Sequence, residues 1–148
     1  MTQIKAPAWA LKDINGSPVP GLESFEGKPI MLLFWNIGCP NCKSRALPFA
    51  KQLARAYPEI EMMGVHTRFE GPAYSPAQVN EIKQLLKIDF PMYLDQGKET
   101  WQAFAAEGTP HWVMIDAEGN IHRSVFGSMP GALQRLDFVL REMLAIEL

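Results

Sequence analysis

Cysteine is scarce in this chain: Cys39 and Cys42 are the whole inventory, too few for the disulfide framework of a small secreted domain. No apolar run approaches the ~20 residues needed to span a bilayer, so no membrane span is expected. Basic residues are never bunched, and 14 Lys and Arg against 16 Asp and Glu leave a net charge of −2. Without a basic patch there is no electrostatic footprint for phosphates, which argues against a nucleic-acid partner. The opening Met1-Thr2-Gln3-Ile4-Lys5-Ala6-Pro7 shows no charged segment followed by an apolar stretch. A cytoplasmic location is therefore expected, with a periplasmic or membrane-anchored protein as the alternative if a signal was trimmed. Internal repeats and low-complexity tracts are absent too.

What is present is an ordinary globular composition, 47% hydrophobic and 20% charged over 148 residues. A single domain, 1–148, is expected. A chain of this length buries roughly 68–70% of its unfolded surface and needs no disulfide staple.

Asn15-Gly16 is a tight-turn signal, so a small N-terminal hairpin is expected from Trp9 to about Val19. Ile30 to Trp35 is apolar throughout, as a central strand covered on both faces should be. Beyond Cys39, Ala46, Phe49, Ala50, Leu53, Ala54 and Tyr57 fall at helical spacing, with a kink predicted at Pro48 and a stop at Pro58. Ile60 to Val65 reads as a strand ending at His66, and Thr67 to Tyr74 as a loop. Ser75 and Pro76 look like an N-cap and first helical residue, with Val79, Ile82, Leu85 and Leu86 on one face. A short strand is expected at 91–94 and a short helix at 100–104. Two strands, 112–115 and 121–126, are joined so briefly that they must be antiparallel. Ser128 is the expected cap of a last helix bearing Leu133, Leu136, Val139, Leu140 and Leu144. Strands alternating with helices predict an α/β architecture with a mixed sheet.

Two thiols three residues apart can close a disulfide within one helical turn. By itself the pair also allows half a zinc site or a structural staple. Cys39, at a helix N-terminus, would meet free backbone N–H groups and the positive end of the helix dipole. Those favour thiolate, the reactive form of cysteine, so Cys39 is the expected nucleophile. Pro40 suits the first helical position, and Cys42 one turn in is the expected resolving thiol.

The order of strand, Phe34-Trp35, Cys39-Pro40-Asn41-Cys42, helix, and later Gly108-Thr109-Pro110 before a strand resembles thioredoxin. The N-terminal hairpin, the Glu26-Gly27-Lys28 lead-in and the extra segment from His66 to Lys87 narrow the resemblance to the TlpA/ResA-like (redoxin) family of thiol-disulfide oxidoreductases. It covers about Pro7 to Leu144. It implies a thioredoxin-like fold: a central mixed β-sheet of about five strands flanked by helices, with an N-terminal β-hairpin and an inserted loop-helix segment after the second core strand. It further implies a cis peptide at Pro110 packed against the cysteines, leaving the backbone of Thr109 to pair with an extended substrate. Trp35 and Phe34 are expected to serve core and groove packing rather than a cofactor box, and Trp35, Pro40 and Asn41 are the substrate-binding candidates beside Thr109. Disulfide-containing protein substrates and a dithiol electron donor are the implied partners of a monomeric reductase with no cofactor and no metal. Two departures stand out. Gly38 replaces the tryptophan before the first cysteine, and Leu33 replaces the buried aspartate that serves thioredoxin as proton acceptor.

Glu70, in the loop after the second core strand, is the expected substitute acceptor for the Cys42 proton; its alternative is a solvated loop carboxylate. His66, at the carboxyl end of a strand, either tunes the thiols or, the favoured reading, hydrogen-bonds the loop. His111 could reach the cysteines or point away, and His122 is expected at the surface. Asn36 and Asn41 bring no charge to the thiols. Three other functions compete. A metal module would use Cys39, Cys42, His66 and His111. A thiol peroxidase needs a hydroxyl and a proline where Asn36 and Leu32 stand. A non-enzymatic scaffold would have no use for the paired cysteines.

Overall fold

The middle strand of the sheet is the apolar run itself. In the computed structural model, which describes residues 4–25 and 27–144, all six side chains of Ile30–Trp35 are buried. In chain order the elements are β1 (Ile4–Lys5), β2 (Leu11–Lys12), a 3-10 turn (Leu22–Phe25), β3 (Ile30–Trp35), a π-helical turn (Cys42–Ala46) running into α1 (Leu47–Ala56), β4 (Glu61–His66), α2 (Pro76–Leu85), β5 (Met92–Asp95), α3 (Glu99–Ala103), β6 (His111–Ile115), β7 (Asn120–Phe126) and α4 (Pro130–Met143). The sheet order is β1-β7-β6-β3-β4-β5-β2. β3, β4 and β5 run parallel, and β6 and β7 are antiparallel additions, so the sheet is mixed and the fold thioredoxin-like. β1 and β2 are two-residue edge strands that lengthen the expected five-strand core to seven.

Alternation along β3 divides the core. Met31, Leu33 and Trp35 face α1 and α4 through Leu47, Ala50, Leu53, Leu136 and Leu140. Ile30, Leu32 and Phe34 face the N-terminal segment and α3 through Leu11 and Phe104. Both faces are therefore hydrocarbon, and β3 delivers its carboxyl end to the surface as a fixed platform. No helix among the described residues is long and apolar enough to cross a membrane.

Local chemistry explains most boundaries. Gly16 takes φ +87° in the tight turn, and Asp13 Oδ1 accepts the N–H groups of Asn15 and Ser17. The hairpin it closes is small, a single bridge between Lys12 and Pro18. The kink expected at Pro48 takes the form of the π-helical turn, with the Leu47 N–H reaching back five residues to the Cys42 carbonyl. Pro48 has no N–H and its ring crowds the preceding turn, so the wider winding is placed where the normal ladder is lost. Ser75 and Gln78 form a reciprocal capping box on α2.

Two expectations fail. Ser128 does not cap α4: it is buried, and Met129 is the N-cap, held extended by Pro130 behind it. Leu85 is 75% exposed, lying off the inward stripe that Val79, Ile82 and Leu86 make. Glu26, part of the lead-in used for the resemblance, lies outside the described residues.

His66 ends β4 paired with Trp35, and its ring meets that of Trp35 edge-on at 5.0 Å. Burial pushes its pKa down from 6.5 to about 4, because the imidazolium loses its hydration there.

Two stability measurements follow. Ser75→Ala should lower the unfolding free energy by about 1 kcal/mol in urea titrations, the usual worth of an N-cap. For His66, the unfolded chain takes a proton near pH 6.5 while the folded chain does not until about pH 4. Its contribution is thus complete above pH 6.5 and is lost as the pH falls toward 4. Between pH 6.5 and about 5 the wild type should lose about 2 kcal/mol more than His66→Gln, a difference that equal pH slopes in the two proteins would refute.

Candidate active site

Three residues, Asn36 to Gly38, carry the chain from β3 to Cys39, and neutral polar groups hold each of them. The buried Asn36 side chain accepts the Gly38 N–H at 2.8 Å and donates to the Thr67 carbonyl at 2.7 Å. His66 Nε2 accepts the Ile37 N–H at 3.1 Å. This is the loop-holding role expected of His66, and it requires the imidazole to be neutral. The Thr67 hydroxyl in turn donates to Asp95 at 2.9 Å.

The helix begins immediately after Cys39, with Pro40 and Asn41 exposed in its first turn. Cys39 is half-buried and Cys42 fully buried; both are free thiols. Cys39 Sγ accepts the Cys42 backbone N–H at 3.2 Å and, as a thiol, donates to the Thr109 carbonyl at 3.5 Å. The first contact is the helix-terminal amide that an anionic sulfur needs. Burial drives the Cys42 pKa well above the ordinary thiol value, and its hydrogen bond to Cys39 adds to this. The Asn36 backbone and the Thr109 side chain act the other way.

The Thr109–Pro110 peptide is cis, as the resemblance implied, and Thr109 lies against Cys39. The Pro110 carbonyl accepts the Gly127 N–H at 2.8 Å, tying this loop to the end of β7. Between the Thr109 segment and the loop after β4 opens a cleft of about 460 Å³ lined by Gly38, Cys39, Phe69, Glu70, Tyr74 and Thr109 among others. Glu70 is exposed on the rim of this cleft. A side chain at position 38 would press on Asn36 Oδ1 at 3.1 Å and on the Tyr74 hydroxyl at 3.2 Å. Tyr74 thus occupies space beside Gly38 that a larger residue before Cys39 would claim.

Other expected site residues lie elsewhere. Trp35 is fully buried; it packs beneath the platform with Cys42 and cannot line a groove, because the even-odd alternation of β3 turns it into the helical core. His111 shares the opposite sheet face with its register partner Phe34. Its Nδ1 accepts the Glu107 N–H, and its Nε2 lies 2.6 Å from the Ser124 hydroxyl. Burial lowers its pKa, while the charge of Glu107 works against that. The ligand set Cys39, Cys42, His66 and His111 therefore does not converge, and no cluster able to hold a metal occurs among the described residues. His122 pairs with Glu142 at 2.9 Å, far from the dithiol in the fold. The position where a peroxidase would need a hydroxyl holds the Asn36 amide, bonded to the Gly38 N–H and the Thr67 carbonyl, and Leu32 is buried in the opposite core.

Sequence reasoning missed the structural work of Asn36, Thr67, Asp95 and Tyr74. A polar residue closing an apolar strand, as Asn36 does, was the one available signal.

Comparisons with known proteins agree with this geometry. The AhpC/TSA family matches residues 2–124. The thiol-disulfide oxidoreductase ResA of Bacillus subtilis is 27% identical over 124 residues, which are 84% of this chain and 66% of ResA. Protein DipZ of Mycobacterium bovis is 32% identical over 112 residues, 72% of this chain and 15% of DipZ. This chain thus spans just under two thirds of ResA and a small part of DipZ. A crystal structure of a thiol-disulfide isomerase from Corynebacterium glutamicum superposes with a TM-score of 0.79 at 24% identity, covering 95% of this chain and 97% of the other. With the family match running from the first edge strand through most of β7, and the dithiol at the end of the central strand of a thioredoxin-like sheet, the chain belongs to the AhpC/TSA family.

Proposed function

We propose that this protein is a thiol-disulfide oxidoreductase that reduces protein disulfides through Cys39 and Cys42. One observation carries the reading. A half-exposed cysteine sits at a helix start beside a cis Thr109–Pro110 bond, with a second thiol buried one turn behind it. The names of ResA and of the Corynebacterium isomerase support the same chemistry.

Cys39 thiolate attacks one sulfur of the substrate disulfide. That S–S bond breaks, the leaving sulfur departs as a thiolate that takes up a proton, and a mixed disulfide joins Cys39 to the substrate. Cys42 then gives up its proton and attacks Cys39 Sγ. The mixed disulfide breaks, the second substrate thiolate leaves, and a Cys39–Cys42 disulfide remains. The substrate has gained two electrons and two protons, and an external dithiol donor returns the enzyme to its starting state. Thr109 offers backbone to an extended substrate, with Pro110, Pro40 and Asn41 at its edge. Glu70, on the rim of the same cleft, takes the Cys42 proton. The protein works as a monomer and in the cytoplasm, as a reductant. A reduction potential near −270 mV accords with that direction, whereas one near −120 mV would mark an oxidant and favour an extracytoplasmic site.

Disulfide reduction by wild type and variants tests the reading. Cys39→Ser should abolish reduction of insulin disulfides, and equal turnover by this variant and the wild type would sink the assignment. Cys42→Ser should accumulate mixed disulfides visible on non-reducing gels. Glu70→Gln should leave the first attack intact and prolong the mixed disulfide by about 10²-fold, the low end of general-base contributions. An unchanged lifetime in stopped-flow traces would remove Glu70 from the mechanism.

A further inference from the structure

The two walls of the cleft beside Cys39 come from distant parts of the chain, yet one side chain touches both. The Trp101 ring stacks on Phe69 with centroids 4.8 Å apart and planes 4° from parallel. Phe69 immediately precedes Glu70 in one wall. The Trp101 indole N–H donates to the Gly108 carbonyl at 3.0 Å. Gly108 immediately precedes Thr109, whose carbonyl accepts the Cys39 thiol in the other wall.

Trp101 is itself fixed. Asp95 at the end of β5 accepts the Thr100 N–H at 2.8 Å and the Trp101 N–H at 3.0 Å, and the same carboxylate accepts the Thr67 hydroxyl. Gly108 is also backed from behind, since a Cβ there would lie 2.8 Å from Phe126 Cε1. The Gly108 peptide is thus gripped between Trp101 and Phe126, and the Phe69 loop leans on the same indole.

We propose that Trp101 is a positioning residue that sets the width of the cleft at Cys39, and with it the bulk of the disulfide partner admitted, through Phe69 on one wall and Gly108–Thr109 on the other. The selection of substrates by bulk rests on the oxidoreductase reading above, whereas the cleft width itself does not. Loss of the indole N–H frees the Gly108–Thr109 wall alone. Loss of the stacked ring at position 69 frees the opposite wall alone. Either change lets a bulky group reach Cys39 Sγ, while a small one is admitted already.

Alkylation of reduced protein reads this without turnover. Rates at Cys39 are measured with iodoacetamide and with a bulky aromatic maleimide, in a Cys42→Ser background, for Trp101→Phe, Phe69→Leu and Phe69→Tyr. The maleimide-to-iodoacetamide ratio should rise roughly fivefold in Trp101→Phe and in Phe69→Leu, a modest share of what a 1 Å misplacement can do. Phe69→Tyr keeps the stack and should keep the wild-type ratio. General loosening would instead raise both rates together and leave the ratio unchanged. Ratios within error of wild type in the first two variants, with circular dichroism confirming that they fold, overturn the proposal. In parallel, the Cys42-containing proteins are assayed on insulin and on glutathione disulfide. Altered KM for insulin with kcat and the glutathione disulfide rate retained extends the role to substrate choice, and equal losses on both substrates overturn that role. A wild type that alkylates normally but reduces neither substrate defeats the oxidoreductase reading and leaves the cleft-width result standing on its own.

Discussion

Cys42 lies at zero exposure in the hydrocarbon between the central strand and the helix, one turn behind a half-exposed Cys39. Ionising a thiol there costs its hydration, and the structure answers with a raised pKa rather than with a nearby cation. The same burial separates the roles of two chemically identical side chains. Cys39 has the helix-terminal amide and the solvent. Burial holds Cys42 protonated, and in the proposed cycle it attacks only once a mixed disulfide has formed on Cys39. Much else in the site reads as a means of keeping these two sulfurs in those two environments.

The framework doing so is neutral. Asn36 spans from the Gly38 amide to the Thr67 carbonyl, and His66 takes the Ile37 amide as an uncharged acceptor. A cation in either place would stabilise both thiolates indiscriminately, and an acid would oppose both. Amide and neutral imidazole fix the loop while leaving the helix terminus as the local source of positive potential. The nearest charged member of this network, Asp95, is set one hydrogen bond further out, where it caps the start of α3 and holds Thr67. Geometry and electrostatics are thereby assigned to different residues, so that the loop can be rigid without dictating the potential of the couple.

How far the sequence could be read depended on the range of the interaction. The Ile30–Trp35 strand, the Asn15-Gly16 turn and the Ser75 cap are signalled by neighbours a few residues away, and each formed as expected. Pro48 signalled a break but not its form, because the choice of a π-helical turn depends on the helix continuing to pack Leu47 and Ala50 under the sheet. Ser128 failed as a cap because Pro130 moved the helix start by one residue, and Leu85 failed because an apolar residue next to an apolar stripe looks like part of it. Of the core and groove roles expected for Trp35 only the core one holds, because strand alternation turns the ring inward. The two cysteines and the cis proline were legible because a familiar motif carried them. The contacts of Phe69 with Trp101 and of Trp101 with Gly108 had no local signal, since only the β4–β5 pairing and the fold of α3 bring those segments together.

Leu33 gives the proposed mechanism its reason for a proton route unlike thioredoxin's. It sits between Gly64 and Trp112 in the sheet register with no exposure. A carboxylate at that point would be buried as deeply as the thiol it served and would itself be costly to ionise. Hydrocarbon below Cys42 leaves the cleft as the open side, past Thr109 toward the rim where Glu70 lies. A carboxylate on the rim is exposed to solvent and can hand a proton on to water. The same placement puts it beside the entering substrate. A partner that fills the cleft also covers Glu70, at the stage of the proposed cycle where Cys42 loses its proton. In the proposed mechanism an acceptor at the mouth of the cleft ties deprotonation of Cys42 to occupancy, whereas a buried acceptor would be indifferent to whether a substrate were there.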